Sequence, residues 1–501
     1  MTTPNANNPQ HLNQELADVL GQPVLEPQHH TDLGNAARLV ALHGSDFRNC
    51  VDRLYFWMGT RWVPEVPGRM HQFAKNVVLS LYSDAALLQA EAATSPDLSP
   101  EERQNLSKQA EATARWARHS ENNARINAMI ALAKEEGQVQ MAADRWDRNH
   151  WLLNTPSGTL HLQDGTLQPH DRQNYITQIT AVGYDPNAGY QAWDDFLARI
   201  IPDESLRSYL QRALGYSCTG LTTEEKLFMP WGPPATGKST LFRAVGACLG
   251  DYAAAVGGET FGEQKSDGSA PRSDVARLVG KRFILAMELP GSQRLATGLL
   301  QRITGGDIMV TRFMYHEFFE FVPTAKPWLT SNTRPVIPDN EPGMWRRVSQ
   351  IPFVVQIPEH DRDPGLKLAL MDPEVGGPAV LRWLVEGCAQ WRELGLGTPQ
   401  VVVDASAAYR SEMDRLADFL TEICFEDENA TCTNPPLWAA YQQWCQANGE
   451  RPLGRKGFTQ RLEAKGFIRV HDHSGRAWRG IGLQNEAYYQ NPLDYDLEPP
   501  P

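Results

Sequence analysis

Gly232-Pro233-Pro234-Ala235-Thr236-Gly237-Lys238-Ser239 satisfies the phosphate-loop pattern G-x-x-x-x-G-K-[ST] at every fixed position. The apolar run Leu227-Phe228-Met229 precedes it, and Thr240-Leu241-Phe242-Arg243-Ala244-Val245, a segment that can wind into a helix, follows. This strand–loop–helix context separates a working phosphate loop from a glycine-rich turn that happens to end in Lys-Ser. Successive backbone N–H groups and the helix N-terminus form a concave cradle for phosphate oxygens. Gly232 through Thr240 therefore reads as the nucleotide-binding segment. Lys238 is positioned to neutralise β/γ charge, and the Ser239 hydroxyl to hold Mg²⁺. The chain reads as an ATP-binding protein with an α/β core.

At 501 residues the chain exceeds what one hydrophobic core organises, so several domains are expected. Hydrophobic content of 41% and 14 tryptophans supply packed interiors. The 47 basic and 60 acidic residues leave a net charge of −13, so any nucleic-acid contact must come from local basic features. The seven cysteines occur singly, with no C-x-x-C pair, which argues against a zinc ribbon and for a reducing setting. Cys432, Cys445, His471 and His473 lack metal-ligand spacing and read as buried thiols and surface imidazoles. No apolar signal core opens the chain and no run of 18 apolar residues interrupts it, so a soluble, cytoplasmic protein without membrane partners is expected.

Residues 1–30 read as a polar, disordered leader. An N-terminal domain spans 31–190. It has a short helix (34–42), aromatic strands around 54–62, and a helical stretch over 70–137 broken at Thr94-Ser95-Pro96. Ser99-Pro100-Glu101-Glu102 reads as a helix cap, a first-turn proline and two dipole-favourable carboxylates. Strands and turns follow over 150–185, and a helical stretch (192–214) leads into an ATPase core over 191–400. A helical linker (401–427), a compact module of two helices and a hairpin (428–486) and an acidic tail (487–501) complete the chain.

Within the core, Arg282-Phe283-Ile284-Leu285-Ala286-Met287-Glu288 is a buried-strand pattern ending in an acid. Phosphoanhydride hydrolysis needs a carboxylate near Mg²⁺ and near the attacking water, and Glu288 is the candidate. Another strand, Pro327-Trp328-Leu329-Thr330, ends in Ser331-Asn332, and the Asn332 amide can orient water near a γ-phosphate. Trp345-Arg346-Arg347-Val348 offers an arginine finger for a neighbouring subunit's ATP.

Phosphate loop, strand with Glu288, Leu300–Asp307, strand with Asn332 and Trp345–Arg347 occur in one order, and this order resembles the superfamily 3 helicases, in particular the phage and plasmid primase–helicase family. Thr31-Asp32-Leu33-Gly34-Asn35-Ala36, Leu152-Leu153-Asn154 with Gly158-Thr159-Leu160, and Tyr209–Tyr216 resemble the region that accompanies the helicase in that family. The resemblance covers about residues 31–485. It implies an AAA+-like core assembled as a hexameric ring, with ATP between subunits and single-stranded DNA in the channel. It assigns Lys238 and Ser239 to phosphate and metal, Glu288 to the second acidic motif, Asn332 to the sensor, and the finger to Arg347 in preference to Arg346. Thr236 stands where relatives often carry Asn, a position whose backbone is expected to matter more than its side chain.

The same resemblance places a DNA-translocating hairpin on Ile308–Phe321, with Arg312, Tyr315 and His316 as contacts. A cation and an aromatic at such a tip suit a sequence-independent grip on a strand. It also implies a winged-helix domain at the C-terminus, with Arg455, Lys456 and Arg461 on the second helix and Arg476 and Arg479 on the wing. Only about 30 polar residues precede the region of resemblance, so a helicase working with a separately encoded primase is expected, on single-stranded and forked DNA in a bacterial host's cytoplasm. The competing readings are an AAA+-type loader or remodeller of a host replication protein, and a non-catalytic origin-binding protein. The hairpin tip and Lys238, respectively, discriminate them.

Overall fold

The structure is a computed structural model that describes residues 29–263, 273–287, 293–312, 318–337, 341–449, 452–472 and 475–484. The chain forms two compact units, one ending at Tyr184 and the other beginning at Asp185.

In the first unit, helix α1 (Asp32–His43) starts where the Thr31 hydroxyl accepts the Gly34 N–H at 3.0 Å. A meander of β1 (Phe47–Cys50), β2 (Arg53–Trp57) and β3 (Trp62–Pro64) follows, all antiparallel. Helices α2 (Arg69–Thr94), α3 (Pro100–Ser120) and α4 (Asn123–Glu135) fill the expected helical stretch. Their break falls at the predicted place, and Ser99 with Glu102 closes a reciprocal capping box. Leu39, Phe47, Phe56, Phe73, Val77, Met129 and Ala133 join helices and meander in one core. A second antiparallel sheet, β4 (Leu152–Thr155), β5 (Gly158–His161) and β6 (Thr166–Gln168), completes the unit.

The second unit begins with α5 (Gln191–Ile200) and α6 (Glu204–Tyr216). The sequence suggested one helical stretch here. Pro202 and the Asp203 cap, whose carboxylate accepts the Ser205 and Leu206 N–H groups, divide it. Strand β7 (Leu227–Trp231) leads into α7 (Lys238–Leu249). Strands β8 (Ala253–Gly257), β9 (Phe283–Met287), β12 (Lys326–Thr330) and β13 (Val348–Pro352) then pair with β7 in the order β13-β7-β12-β9-β8. Every pairing is parallel, and β7 and β9 read as unbroken apolar runs because both faces are covered. Helix α8 (Ser273–Ala276) lies between β8 and β9, and between β9 and β12 lie α9 (Thr297–Gly305) and the antiparallel pair β10 (Met309–Thr311) and β11 (Phe319–Phe321).

Helices α10 (Pro342–Trp345), α11 (Pro364–Met371), α12 (Gly377–Leu394) and α13 (Gln400–Glu412) precede a compact C-terminal part. That part runs α14 (Arg415–Ile423), β14 (Cys424–Thr433), α15 (Asn434–Ala447), α16 (Arg455–Ala464), β15 (Ile468–Asp472) and β16 (Gly475–Leu483), with sheet order β14-β16-β15. The expected linker over 401–427 is corrected here. Leu416, Phe419 and Leu420 pack in one core with Tyr441, Trp444, Phe458 and Trp478. Residues from Cys424 form a strand, because Cys424, Cys432 and the β16 residues opposite them bury a shared face. Cys432 and Cys445 belong to this apolar core.

Candidate nucleotide site and its relatives

The parallel sheet places the phosphate loop at the C-terminal end of β7, between β13 and β12, where ligands of such sheets bind. Two glycines are required there by geometry. Gly237 has φ +80, and a Cβ on it would lie 2.5 Å from Ile200 Cγ2; a Cβ on Gly232 would lie 2.0 Å from the Phe353 carbonyl oxygen. The segment after β13 straps the loop: the Phe353 N–H donates to Trp231 O at 2.7 Å, and the Ile357 N–H to Ala235 O at 2.8 Å.

Lys238, the first residue of α7, is 6% exposed and bends back over the loop. Its ammonium donates to Gly232 O at 2.7 Å, Pro233 O at 2.8 Å and Thr236 Oγ1 at 3.0 Å. Burial without a carboxylate pushes its pKa down to about 8. The loop thus holds a buried cation satisfied by neutral acceptors. Thr236 is corrected from the sequence reading: its buried hydroxyl is one of the three acceptors, so the side chain itself shapes the loop. Ser239 is exposed at the helix N-terminus.

Strand β12 lies directly beside β7, with Ser331 bridging Trp231 and its N–H donating to Pro230 O at 3.2 Å. The register brings Asn332, which is exposed, level with Gly232, the first residue of the loop. Strand β9 reaches Met287, paired with Thr330; Glu288 lies outside the described residues. Arg334, which the sequence reading passed over, closes this edge of the site. Its guanidinium stacks 4.2 Å from the Trp231 ring, donates to Gln350 Oε1 at 3.0 Å and pairs with Glu412. Only its position two residues past Asn332 signals this in the sequence.

Arg346 and Arg347 precede β13, whose Val348 pairs with Leu227 at the start of β7, so they lie at the opposite end of the sheet from the loop. The four residue steps of β7 put about 13 Å between the two ends. Neither arginine therefore belongs to its own chain's phosphate site. They differ from each other: the Arg347 side chain is 10% exposed, against 67% for Arg346. Glu225 Oε2 holds Arg347 at 2.7 Å and Arg346 at 3.1 Å, and Arg347 also donates to Thr304 Oγ1 at 3.4 Å.

The arms of the expected hairpin are present as β10 and β11, with Arg312 stacked 4.7 Å from the Phe318 ring. Tyr315 and His316 lie outside the described residues. In the C-terminal part, Arg455 and Lys456 are exposed at the start of α16, Arg455 lying 5.9 Å from the Trp438 ring, and Arg461 is half-buried. Arg476 and Arg479 are exposed on β16, but three residues apart in a strand they point to opposite faces and form no single stripe.

Residues 36–202 match the family described as D5 N terminal like, and residues 411–480 the family described as Poxvirus D5 protein-like. Between them, residues 231–347, which hold the phosphate loop, match a family of unknown function. Segments on either side of the phosphate loop thus match D5-type family models. A protein of Acanthamoeba polyphaga mimivirus, provisionally named a helicase, is 26% identical over 325 residues, covering 60% of this chain and 34% of the relative. A protein of Frog virus 3 with the same provisional name is 25% identical over 329 residues, 60% of this chain and 32% of its own. The chain thus spans about a third of the length of the curated relatives it matches. Among solved structures, the NrS-1 C-terminal region aligns with a TM-score of 0.38 at 11% identity, over 60% of this chain and 78% of that one. The JCV helicase aligns with a TM-score of 0.27 at 11% identity, over 77% and 98%. No described helix is long and apolar enough to cross a membrane.

Proposed function

We propose that this chain is an ATP-dependent DNA helicase that hydrolyses ATP at subunit interfaces of a ring, a hexamer by its resemblance, and moves along single-stranded DNA. The observation that carries this reading is the separation of the ATPase parts along the sheet: the phosphate loop and Asn332 at one end, Arg346 at the other. Such a division makes functional sense when a neighbour supplies the missing cation.

Gly232 and Gly237 leave the backbone room to approach phosphate oxygens, and Lys238 holds β/γ charge once it leaves its loop acceptors. Ser239 is the residue that would hold Mg²⁺, with Glu288 completing its set, and the ion would supply charge neutralisation between phosphates. Asn332 orients the attacking water. Arg346, being exposed, stabilises transition-state charge on the adjoining protomer, whereas Arg347 braces Glu225. This reverses the preference for Arg347 drawn from the sequence.

The β10–β11 arms carry Arg312 toward the strand, with Tyr315 and His316 as tip contacts. The order α14-β14-α15-α16-β15-β16 supports a winged-helix reading of the C-terminal part, with Arg455 and Lys456 touching duplex phosphates at a fork. A loader acting on a protein client shares the ATPase parts. The test is strand displacement on forked DNA by wild type, Lys238→Ala and a Tyr315→Ala/His316→Ala double variant. Loss of unwinding in both, with basal ATPase kept only in the double variant, supports the helicase. ATPase indifferent to oligonucleotide, in a protein that stays monomeric with ATP and DNA present, refutes it.

A further inference from the structure

The first unit contains a cleft of about 590 Å³ that none of the ATPase chemistry uses. It is built by the segment 145–152 and by residues 173–175. Arg145, Arg148, His150, Trp151, Asn174 and Tyr175 line it, and no lining residue is acidic. In a chain of net charge −13, such a concentration of guanidinium and imidazole groups is a local exception.

Arg145 and Arg148 are exposed, and among the described residues neither has a carboxylate within ion-pair distance. Of the acids flanking them in the chain, Asp144 is exposed to solvent, and Asp147 accepts the Thr177 N–H at 2.8 Å and the Thr177 hydroxyl. The floor is rigid. The Tyr175 ring lies 5.5 Å from the Arg145 guanidinium and 6.0 Å from that of Arg48, and edge-on to Trp146 at 6.0 Å. The backbone here is strained as well. Asp147 (φ 51) and Tyr175 (φ 49) both adopt the left-handed region, and the Asp147 N–H donates to Tyr175 O at 3.1 Å. Two non-glycine residues held this way at one cleft are the kind of stored strain that accompanies binding sites.

We infer that this cleft binds the backbone of a single-stranded polynucleotide, separately from any contact made by the ATPase unit. Guanidinium forks suit phosphodiester oxygens, while Trp151 and Tyr175 offer ring surface to bases and the amides of Asn149, Gln173 and Asn174 offer hydrogen bonds. The volume falls in the range of small-ligand pockets, enough for a nucleotide of one strand. Charge complementarity selects a polyanion, and the interleaved aromatics favour nucleic acid over an acidic polypeptide.

The test uses the full chain without nucleotide, so it does not depend on the helicase reading. Anisotropy of fluorescein-labelled oligothymidylate is titrated across a KCl series for wild type, Arg145→Ala/Arg148→Ala and Arg145→Lys/Arg148→Lys. The alanine pair should bind about tenfold more weakly at low salt. The slope of log affinity against log salt should fall by about 1.4, for two lost phosphate contacts. The lysine pair should keep the slope. Melting temperature and DNA-independent ATPase should match wild type, since both arginines are exposed. An unchanged affinity and slope in the alanine pair overturns the inference. So does competition by polyglutamate as effective as that by oligothymidylate, which would make the ligand a protein. Equal weakening for a free mononucleotide overturns it too, by assigning the cleft to a small ligand.

Discussion

On the proposed function, the depressed pKa of Lys238 should make ATP binding a proton-coupled event, with a size set by the burial of its ammonium. The ammonium is buried against three neutral acceptors in the loop and its pKa is pushed down to about 8 from 10.5. A polyanion in the cradle restores the charged form, so binding draws a proton onto Lys238 to the extent that it is neutral beforehand. Binding should then take up about half a proton at pH 8 and about nine-tenths at pH 9. Apparent affinity should fall about tenfold between pH 7 and pH 9, about 1.4 kcal/mol. The sign for folding runs the other way. A lysine whose folded pKa is lowered binds fewer protons than in the unfolded chain, so its contribution to stability rises as pH climbs from about 8 toward 10.5. The assay is calorimetric titration of ATP with Mg²⁺ between pH 8 and 9.5, above the titration of ATP itself, in buffers of different ionisation enthalpy. Proton uptake near zero throughout, with affinity independent of pH, refutes the reasoning.

Three further outcomes are expected. Gly237→Ala forces a side chain into φ +80 with its Cβ 2.5 Å from Ile200, so it should cost about 1–3 kcal/mol in chemical denaturation and abolish ATP binding by equilibrium dialysis. Arg346→Ala should leave the melting temperature unchanged but lower the ATPase rate of the assembled protein by about a thousandfold, whereas Arg347→Ala should destabilise the fold by about 1–3 kcal/mol; the reverse pattern in a paired melting and ATPase measurement would return the finger to Arg347. Arg334→Lys keeps the charge but loses the planar stack on Trp231, so about 1–2 kcal/mol of stability should go, with a raised KM for ATP; denaturation and KM equal to wild type would show that the stack is incidental.

The sequence by itself determined the phosphate loop, the helices of the first unit down to the Ser99–Glu102 cap, and the strand ending in Asn332. Each is a local feature: a fixed spacing of glycines and Lys-Ser, a cap pattern, or a short apolar run bounded by polar residues. Tertiary structure decided what depends on partners distant in the chain. That Arg347 is buried against Glu225 while Arg346 faces out cannot be read from two adjacent arginines, because exposure is set by α9 and by the turn before β7 packing over one of them. That 424–433 is a strand and not the end of a linker follows from β16 lying opposite it some 50 residues later. That Arg334 stacks on Trp231 at the end of β7, and that Thr236 holds Lys238, follow from the register of β12 against β7 and from the fold of the loop on itself. Pairing register and burial are properties of the assembled sheet, and a side chain's charge state and role follow from them.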